Sequence, residues 1–370
     1  MTDTSVSRPG QSNLAGDVLA QFLKVFTGEV ITTFEELNVM RGVMQSRTIT
    51  SGKSAQFPVH GRAAAFFHTV GKNIADVGSG LLSLVPATER IINVDNRLIS
   101  AVSIAEIDEA MNHYDVRSIY SEELGRALSK RFDQLALNTF VLASRAIQPS
   151  AFTAQGILGG GLNGAGAPLT DANVATQGVA LSNALFTCAQ KFDERDVPKT
   201  DRYAAISPAM YYNLIRDPLT TQVTVNPAIT TNIATGVASS GFPLLAPSGP
   251  NGSYAKGTIY ECAGFTLLKT NHLPNTIPDT AGGGGTGNVT SADAFFGTPG
   301  ASANGNVYYG NFVKTRGVAF HKSAGGLLKL RDLATESEWK MEYQGWLTLA
   351  KMVIGMNILR PESSIELAIP

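Results

Sequence analysis

The sequence predicts an α+β fold of more than one lobe, and three observations carry that prediction. Residues from about Val116 to Ile147 repeat apolar side chains at helical spacing and contain no glycine or proline except Gly125. Two stretches rich in β-branched residues, 46–59 and 89–104, flank a glycine-rich tip. The C-terminal segment alternates apolar and polar residues with the period of a strand. At 370 residues the chain exceeds the roughly 250–300 at which a single core stops growing.

Composition narrows the function classes. Charged residues make up 16%, against about 25% in an ordinary soluble domain. A low charge content suits a surface covered by other copies of the same chain. The formal net charge of −1 lacks the basic excess of a phosphate-neutralising protein. Contact with nucleic acid is therefore expected to be weak and non-specific. Cys188 and Cys262 form no CxxC or Cys/His metal spacing, which points to a reducing compartment. The start has neither a basic nor an apolar signal region, and no apolar run is long enough to span a membrane.

Taken in order, residues 1–16 are small and polar and read as a flexible arm. Residues 17–26 place Val18, Phe22, Val25 and Phe26 as a short helix or apolar anchor, and 30–43 add a further short element. Residues 46–59 and 89–104 are expected as the two strands of a long hairpin, with Gly61, Gly71, Gly78 and Gly80 towards its tip. A tip of that length reaches for something outside its own domain. Next comes the helix, with Tyr120, Leu124, Leu128, Phe132 and Leu135 on one face. Acids at 106, 108, 109, 115, 122 and 123 precede bases at 126, 130, 131 and 145, in the order that complements the helix dipole, and Pro149 ends it.

Asp171 is expected to cap a helix over 172–192, with Val179, Ala180, Leu185, Phe186 and Ala189 inward. A buried strand over 202–207 and a short helix over 208–216 that begins at Pro208 follow. Residues 257–270 return to strand between two loops, 218–253 and 271–306, rich in Gly, Thr and Asn. Two long strands then come back against the helix. The organisation is thus an arm over 1–45, a hairpin over 46–104, a helical segment over 105–150, an α/β lobe over 151–325 and returning strands over 326–370.

The search for chemistry is negative. Gly159-x-Gly161-x-x-Gly164 and Gly282-x-Gly284-x-x-Gly287 match the dinucleotide fingerprint, but neither lies between a clear strand and a helix. Gly52-Lys53-Ser54 resembles the end of a phosphate-binding loop, yet its required first glycine is replaced by Arg47. Glu109 and His113 share a helical face without the spacing of a di-iron site, and read as a surface pair. Asp193, Glu194 and Asp196 read as a solvated turn, and the neighbours Arg331 and Asp332 point to opposite faces of a strand. No catalytic residue, cofactor site or metal site is assigned.

Five strings occur in the order of one family. They are Leu19-Ala-Gln-Phe-Leu-Lys-Val-Phe-Thr-Gly-Glu-Val30, Ser51-Gly-Lys-Ser-Ala-Gln-Phe-Pro-Val59, Asp108-Glu-Ala-Met-Asn-His-Tyr-Asp-Val-Arg-Ser118, Lys329-Leu-Arg-Asp-Leu333 and Leu359-Arg-Pro-Glu362. With them the chain resembles the major capsid proteins of T-seven-like podoviruses, the autographivirids, which have the Hong Kong 97-type fold. The resemblance spans nearly the whole chain. It departs at 61–88, 218–253 and 271–306, and the Lys–Asn crosslink of one branch of that fold is not carried over.

The resemblance implies an N-arm, an E-loop hairpin, a P-domain with a spine helix, and an A-domain. It implies pentamers and hexamers that form an icosahedral shell around double-stranded DNA, assembled in the bacterial cytoplasm. The partners implied are further copies of the chain, a scaffolding protein, a portal at one vertex, weakly held DNA and a decoration protein. Lys53, Arg62, Lys72, Arg90, Glu109, His113 and Arg117 are the candidate contacts between subunits. Two other readings are an encapsulin-type compartment subunit that packages protein, and, from a different class, a nucleotide-binding enzyme.

Overall fold

The computed structural model describes residues 38–105 apart from 62, 64, 72, 75–84, 86 and 96, then 117–148, 158–220, 257–276 and 308–370, with three two-residue strands in 248–289. The N-terminal elements expected over 1–37, the fingerprint at Gly282, and the residues Arg62, Lys72, Glu109 and His113 lie outside the described residues.

The strands of the three main sheets, in chain order, are β1 (Gln45–Thr48), β2 (Ser54–His60), β3 (Ala87–Asn93), β4 (Leu98–Ala105), β5 (Leu169–Thr170), β6 (Arg202–Ile206), β7 (Glu261–Cys262), β8 (Phe265–Lys269), β9 (Thr315–His321), β10 (Gly325–Lys340), β11 (Gly345–Ile358) and β12 (Ser364–Ala368). The helices are α1 (Arg117–Arg145), α2 (Gly178–Glu194) and α3 (Pro208–Thr220). Three sheets organise them. One runs β1-β10-β11-β4, a second runs β7-β8-β6-β9-β12-β5, and β2 pairs with β3 alone.

The 29-residue helix α1, about 43 Å long at ~1.5 Å per residue, lies between the two large sheets. Leu128, Phe132, Leu135 and Phe140 share a core with Met352, Ile354 and Met356 of β11 and with Val318 and Phe320 of β9. Phe140 stacks on Phe320 at 3.8 Å between ring centroids. On the other face of the second sheet, Ala204, Ile206, Ala319, Ile365 and Leu367 pack against α2 and α3 in a separate core. Strand alternation separates the two cores, because successive side chains point to opposite faces.

Several expectations shift. Residues 46–59 form two strands, because Gly52 turns the chain at φ +107°. β1 then pairs in parallel with β10 (Gln45 opposite Gly326), while β2 pairs with β3 in full register from Ser54–Asn93 to His60–Ala87. Residues 89–104 also divide. Asp95 leaves β3 by donating its N–H to the carbonyl of Ile354, and β4 joins β11 instead. The long helix stops at Arg145, before Ile147, where the Gly160 N–H takes the carbonyl of Ala146.

Asp171 does not cap α2. Its carboxylate accepts the N–H of Asn173 at 2.8 Å, and the helix starts at Gly178 after Gln177. A Cβ at Gly178 would meet the Asn213 carbonyl at 2.3 Å, so close packing on α3 decides where α2 begins. Its buried face runs through Gly178, Leu181, Ser182, Leu185, Cys188 and Phe192, and Phe186 is exposed. The last strand also leaves the returning pair. β10 and β11 form one long hairpin, whereas β12 crosses to the second sheet between β9 and β5.

Candidate assembly surfaces

The β2–β3 hairpin stands on a small core of its own. The alternation of β2 buries Ala55, Phe57 and Val59 and leaves Ser54, Gln56, Pro58 and His60 outside. Phe57 and Ile92 then pack with Leu328 of β10 and with Leu359. Two glycines make room for this root. A Cβ on Gly326 would approach Ile92 to 2.6 Å, and one on Gly355 would approach the Asn93 carbonyl to 2.0 Å. Three side chains of the body hold the backbone of the hairpin. Arg47 donates to the Gln56 carbonyl (2.6 Å), Arg360 to that of His60 (3.2 Å) and Asn357 to that of Ile91 (3.3 Å).

Beyond that root, nothing among the described residues covers the hairpin. Phe67 is 101% exposed and Val70 95%, and Phe66 and Ile74 are each more than half exposed. A soluble surface rarely projects such a run of apolar side chains unless something covers it. A second exposed apolar end lies at the β10–β11 turn. There Trp339 and Trp346 meet edge to face at 5.6 Å, with Met341 and Tyr343 beside them in solvent.

Of the seven candidate contact residues, Lys53 is exposed in the turn before β2. Arg90 is half-buried and donates to Gln148 Oε1 at 2.9 Å, so it ties the hairpin to its own body. Arg117 is the first residue of α1. The structure does not bring Lys53 and Arg90 together.

Buried charge, absent from the sequence-based candidates, ties the two lobes to α1. Arg145 closes both oxygens of Glu366 at 2.6 and 2.7 Å and also donates to the carbonyl of Asn311 (2.7 Å). Asp133, fully buried, accepts the N–H groups of Val39 (3.2 Å) and Met40 (3.1 Å) and lies 3.1 Å from His272 Nδ1. Tyr308, also buried, donates to Asp95 Oδ2 at 2.5 Å and accepts the N–H of Met356 at 3.0 Å. Burial pushes the Asp95 carboxyl up to about 6, against the lowering effect of the Tyr308 hydrogen bond.

The glycine fingerprint at 159–164 has a packing role. It lies against the C-terminal end of α1, where a Cβ on Gly160 would meet the Ala143 carbonyl at 2.1 Å. Arg195 threads the loop, donating to the carbonyls of Gly161 (2.6 Å), Leu162 (3.0 Å) and Glu362 (3.0 Å). A phosphate requires free N–H groups at a helix N-terminus, and this loop meets the opposite end. Lys53 sits after Gly52 in a turn whose carbonyl accepts the Val94 N–H, with no glycine nest around it.

Asp193 is held by Arg202 at 2.7 Å, and Glu194 by Lys191 at 2.6 Å, so the acidic turn is internally paired. His321 Nδ1 lies 2.8 Å from Ser323 Oγ, but it also accepts the Ser323 N–H and caps a single turn. Among the described residues no group of three or more His, Cys, Asp or Glu is placed to hold a metal ion.

Comparison with known proteins agrees with this architecture. The family described as Gp10A-like, major capsid protein, matches residues 56–368. The chain is 33% identical over 356 residues to the major capsid protein of Escherichia phage T7, covering 95% of this chain and 92% of that one. It is 32% identical over 375 residues to the major capsid protein of Enterobacteria phage T3, covering 98% and 95%. Among solved structures it is similar to the capsid of Cyanophage P-SCSP1u, with TM-score 0.63, 30% identity and coverage of 97% and 93%. The mature capsid of bacteriophage PhiM1 shares the fold, with TM-score 0.60, 14% identity and coverage of 97% and 92%.

Proposed function

The chain belongs to the Gp10A-like family of phage major capsid proteins, and from that premise we propose that its copies form pentamers and hexamers of an icosahedral shell around double-stranded DNA. The subunit acts structurally, without catalysis. The observation that carries this reading is the hairpin. Its root is built into the body by Phe57, Ile92, Gly326 and Gly355, and its far end presents Phe66, Phe67 and Val70 to solvent. A rigid root with an uncovered apolar end is the form of an arm that grips a neighbour. Because one copy offers the arm and the next receives it, the contact is heterologous and closes into rings.

Lys53, Arg62 and Lys72 supply positive charge for acidic groups on that neighbour, and Glu109 and His113, which precede α1 in the sequence, and Arg117, its first residue, act as further contacts. Arg90 serves its own subunit. A scaffolding protein guides the first shell, a portal occupies one vertex, and the near-neutral net charge suits loose contact with packaged DNA. A decoration protein on the outer face is compatible with this arrangement, and assembly takes place in the host cytoplasm. Negative-stain microscopy of the protein, expressed with and without its neighbouring genes, tests the reading. Uniform polyhedral particles are expected, and a monomer under every condition would overturn it.

A further inference from the structure

We propose that Asp95 and Tyr308 form a proton-operated latch at the root of the hairpin, closed while the carboxyl carries its proton and opened as that proton leaves. The short connection between β3 and β4 is fastened to β11 at two points. The Asp95 N–H bonds to the carbonyl of Ile354 at 2.9 Å. The Asp95 carboxyl receives the hydroxyl of Tyr308, which itself receives the N–H of Met356. Between those points lies Gly355, with no space for a Cβ below Asn93. Val94 and Asp95 therefore lie flat on β11, and the side chain that presses them there is a carboxyl.

Around it stand few groups that titrate. Tyr308 comes from the segment that leads into β9, and its phenol is held well above its usual range by burial and by Asp95 itself. Lys53 on the hairpin side offers only its carbonyl, to Val94. Lys329 lies across β11 on β10, opposite Ile354, and Arg97 follows two residues on in the same connection. Among the described residues no cation lies within ion-pair distance of Asp95. An ionised carboxylate there has one phenol hydrogen bond in place of water, which offsets only part of its desolvation. Lifting the connection off β11 hydrates the charge. Proton loss thus favours the lifted root, and a neighbour that holds the hairpin lifted favours proton loss in turn. The latch converts pH into hairpin angle, a degree of freedom distinct from the tip contact.

Amide hydrogen exchange on free wild-type subunits tests this, and it reads the latch whether or not shells form. The protection factors of the Asp95 and Met356 amides, corrected for intrinsic rates, are expected to fall about tenfold between pH 5 and pH 8, the part of the carboxyl's shift that lies above pH 5. Asp95→Asn keeps the acceptor for Tyr308 and loses the charge, so its protection should not change over that range. Tyr308→Phe should lower Met356 protection at both pH values. Equal wild-type protection at pH 5 and pH 8, or an Asp95→Asn subunit that keeps the loss, overturns the latch. Should Asp95→Asn fail to fold, a 13C titration of the wild-type aspartate carboxyls decides: a resonance with its midpoint near pH 6 supports the latch, and none above about 4.5 defeats it.

Discussion

Arg145, the last residue of the long helix, grips both carboxylate oxygens of Glu366 in the middle of β12. Strand alternation explains why a glutamate is there at all. Ile365 and Leu367 face the core under α2 and α3, so Ser364 and Glu366 must face α1. Ser364 meets the Phe140 carbonyl at 2.7 Å, and Glu366 meets Arg145. The Glu366 side chain is 1% exposed and that of Arg145 30%. Arg145→Ala would strand a carboxylate in the interior and should destabilise the subunit by about 3 kcal/mol. Glu366→Gln, which keeps an acceptor and removes the charge, should cost less. Urea unfolding of both variants checks the order, and equal small losses would contradict it.

The raised carboxyl of Asp95 gives a pH dependence with a definite sign. Its folded value of about 6 lies above the ordinary 3.8, so the folded state binds this proton more tightly than the unfolded chain. Its stabilising contribution is present below about pH 4 and is lost as pH rises through 6, by about 3 kcal/mol at ~1.36 kcal/mol per pH unit. Other carboxylates, such as Asp193, which Arg202 holds below its ordinary value, act in the opposite direction. The measurement is therefore the difference between wild type and Asp95→Asn in unfolding free energy, taken at pH 4 and pH 7. Wild type should lose ground to the variant as pH rises.

Stability and assembly separate at the hairpin tip. Phe67 touches little of its own chain, so Phe67→Ser should leave the unfolding midpoint within about 0.5 kcal/mol of wild type. Shell formation, followed by sedimentation, should fall sharply. Deleting residues 61–87 should likewise leave soluble subunits that form no closed particles. Normal particles from either variant would remove the hairpin from the assembly contact.

Gly355 tests the root. A methyl group there would sit 2.0 Å from the Asn93 carbonyl oxygen and 3.1 Å from Val94 Cα, all backbone that cannot swing aside. Gly355→Ala should therefore displace the hairpin base and expose Ile92. Binding of a hydrophobic dye at constant helix content would report it, and a silent substitution would show that the root tolerates the shift.

The two thiols should be inert in the native subunit. Burial pushes Cys188 up to about 12 and Cys262 up to about 11, and both are buried free thiols. A thiol reagent at pH 8 should label neither before unfolding and both afterwards.

Local signals made much of this fold legible. The i+4 series from Leu124 to Phe132 marked the face of α1 that is in fact buried, and the alternation over Met352, Ile354 and Met356 marked the strand against it. The inner face of α2 was read in part, since Leu185 is buried and Ala189 packs beside that core, but size as well as hydropathy sets the rest. Gly178 and Ser182 face inward where α3 crosses closely, and Phe186 is left in solvent. The division of 46–59 was hidden because β1 finds its partner near the other end of the chain. The same distance hid the buried charges. Asp133 reads as one polar residue in a helix until its partner, Met40, arrives from 93 residues away. Of the candidate contacts, Lys53 was readable as an exposed cation, but the bond from Arg90 to Gln148 was not, since nothing local to either residue signals it.

The pairing of Gln45–Thr48 with Gly326–Lys329 also sets a timetable. Ribosomes deliver the hairpin long before the strand beside it and the floor beneath it, Leu328 and Leu359. Contacts of such sequence separation form late and slowly. A chain cut short during synthesis has no seat for its hairpin and leaves Phe57 and Ile92 exposed. Only a chain made past Leu359 can seat its arm, so docking must wait on synthesis of the far side of the fold.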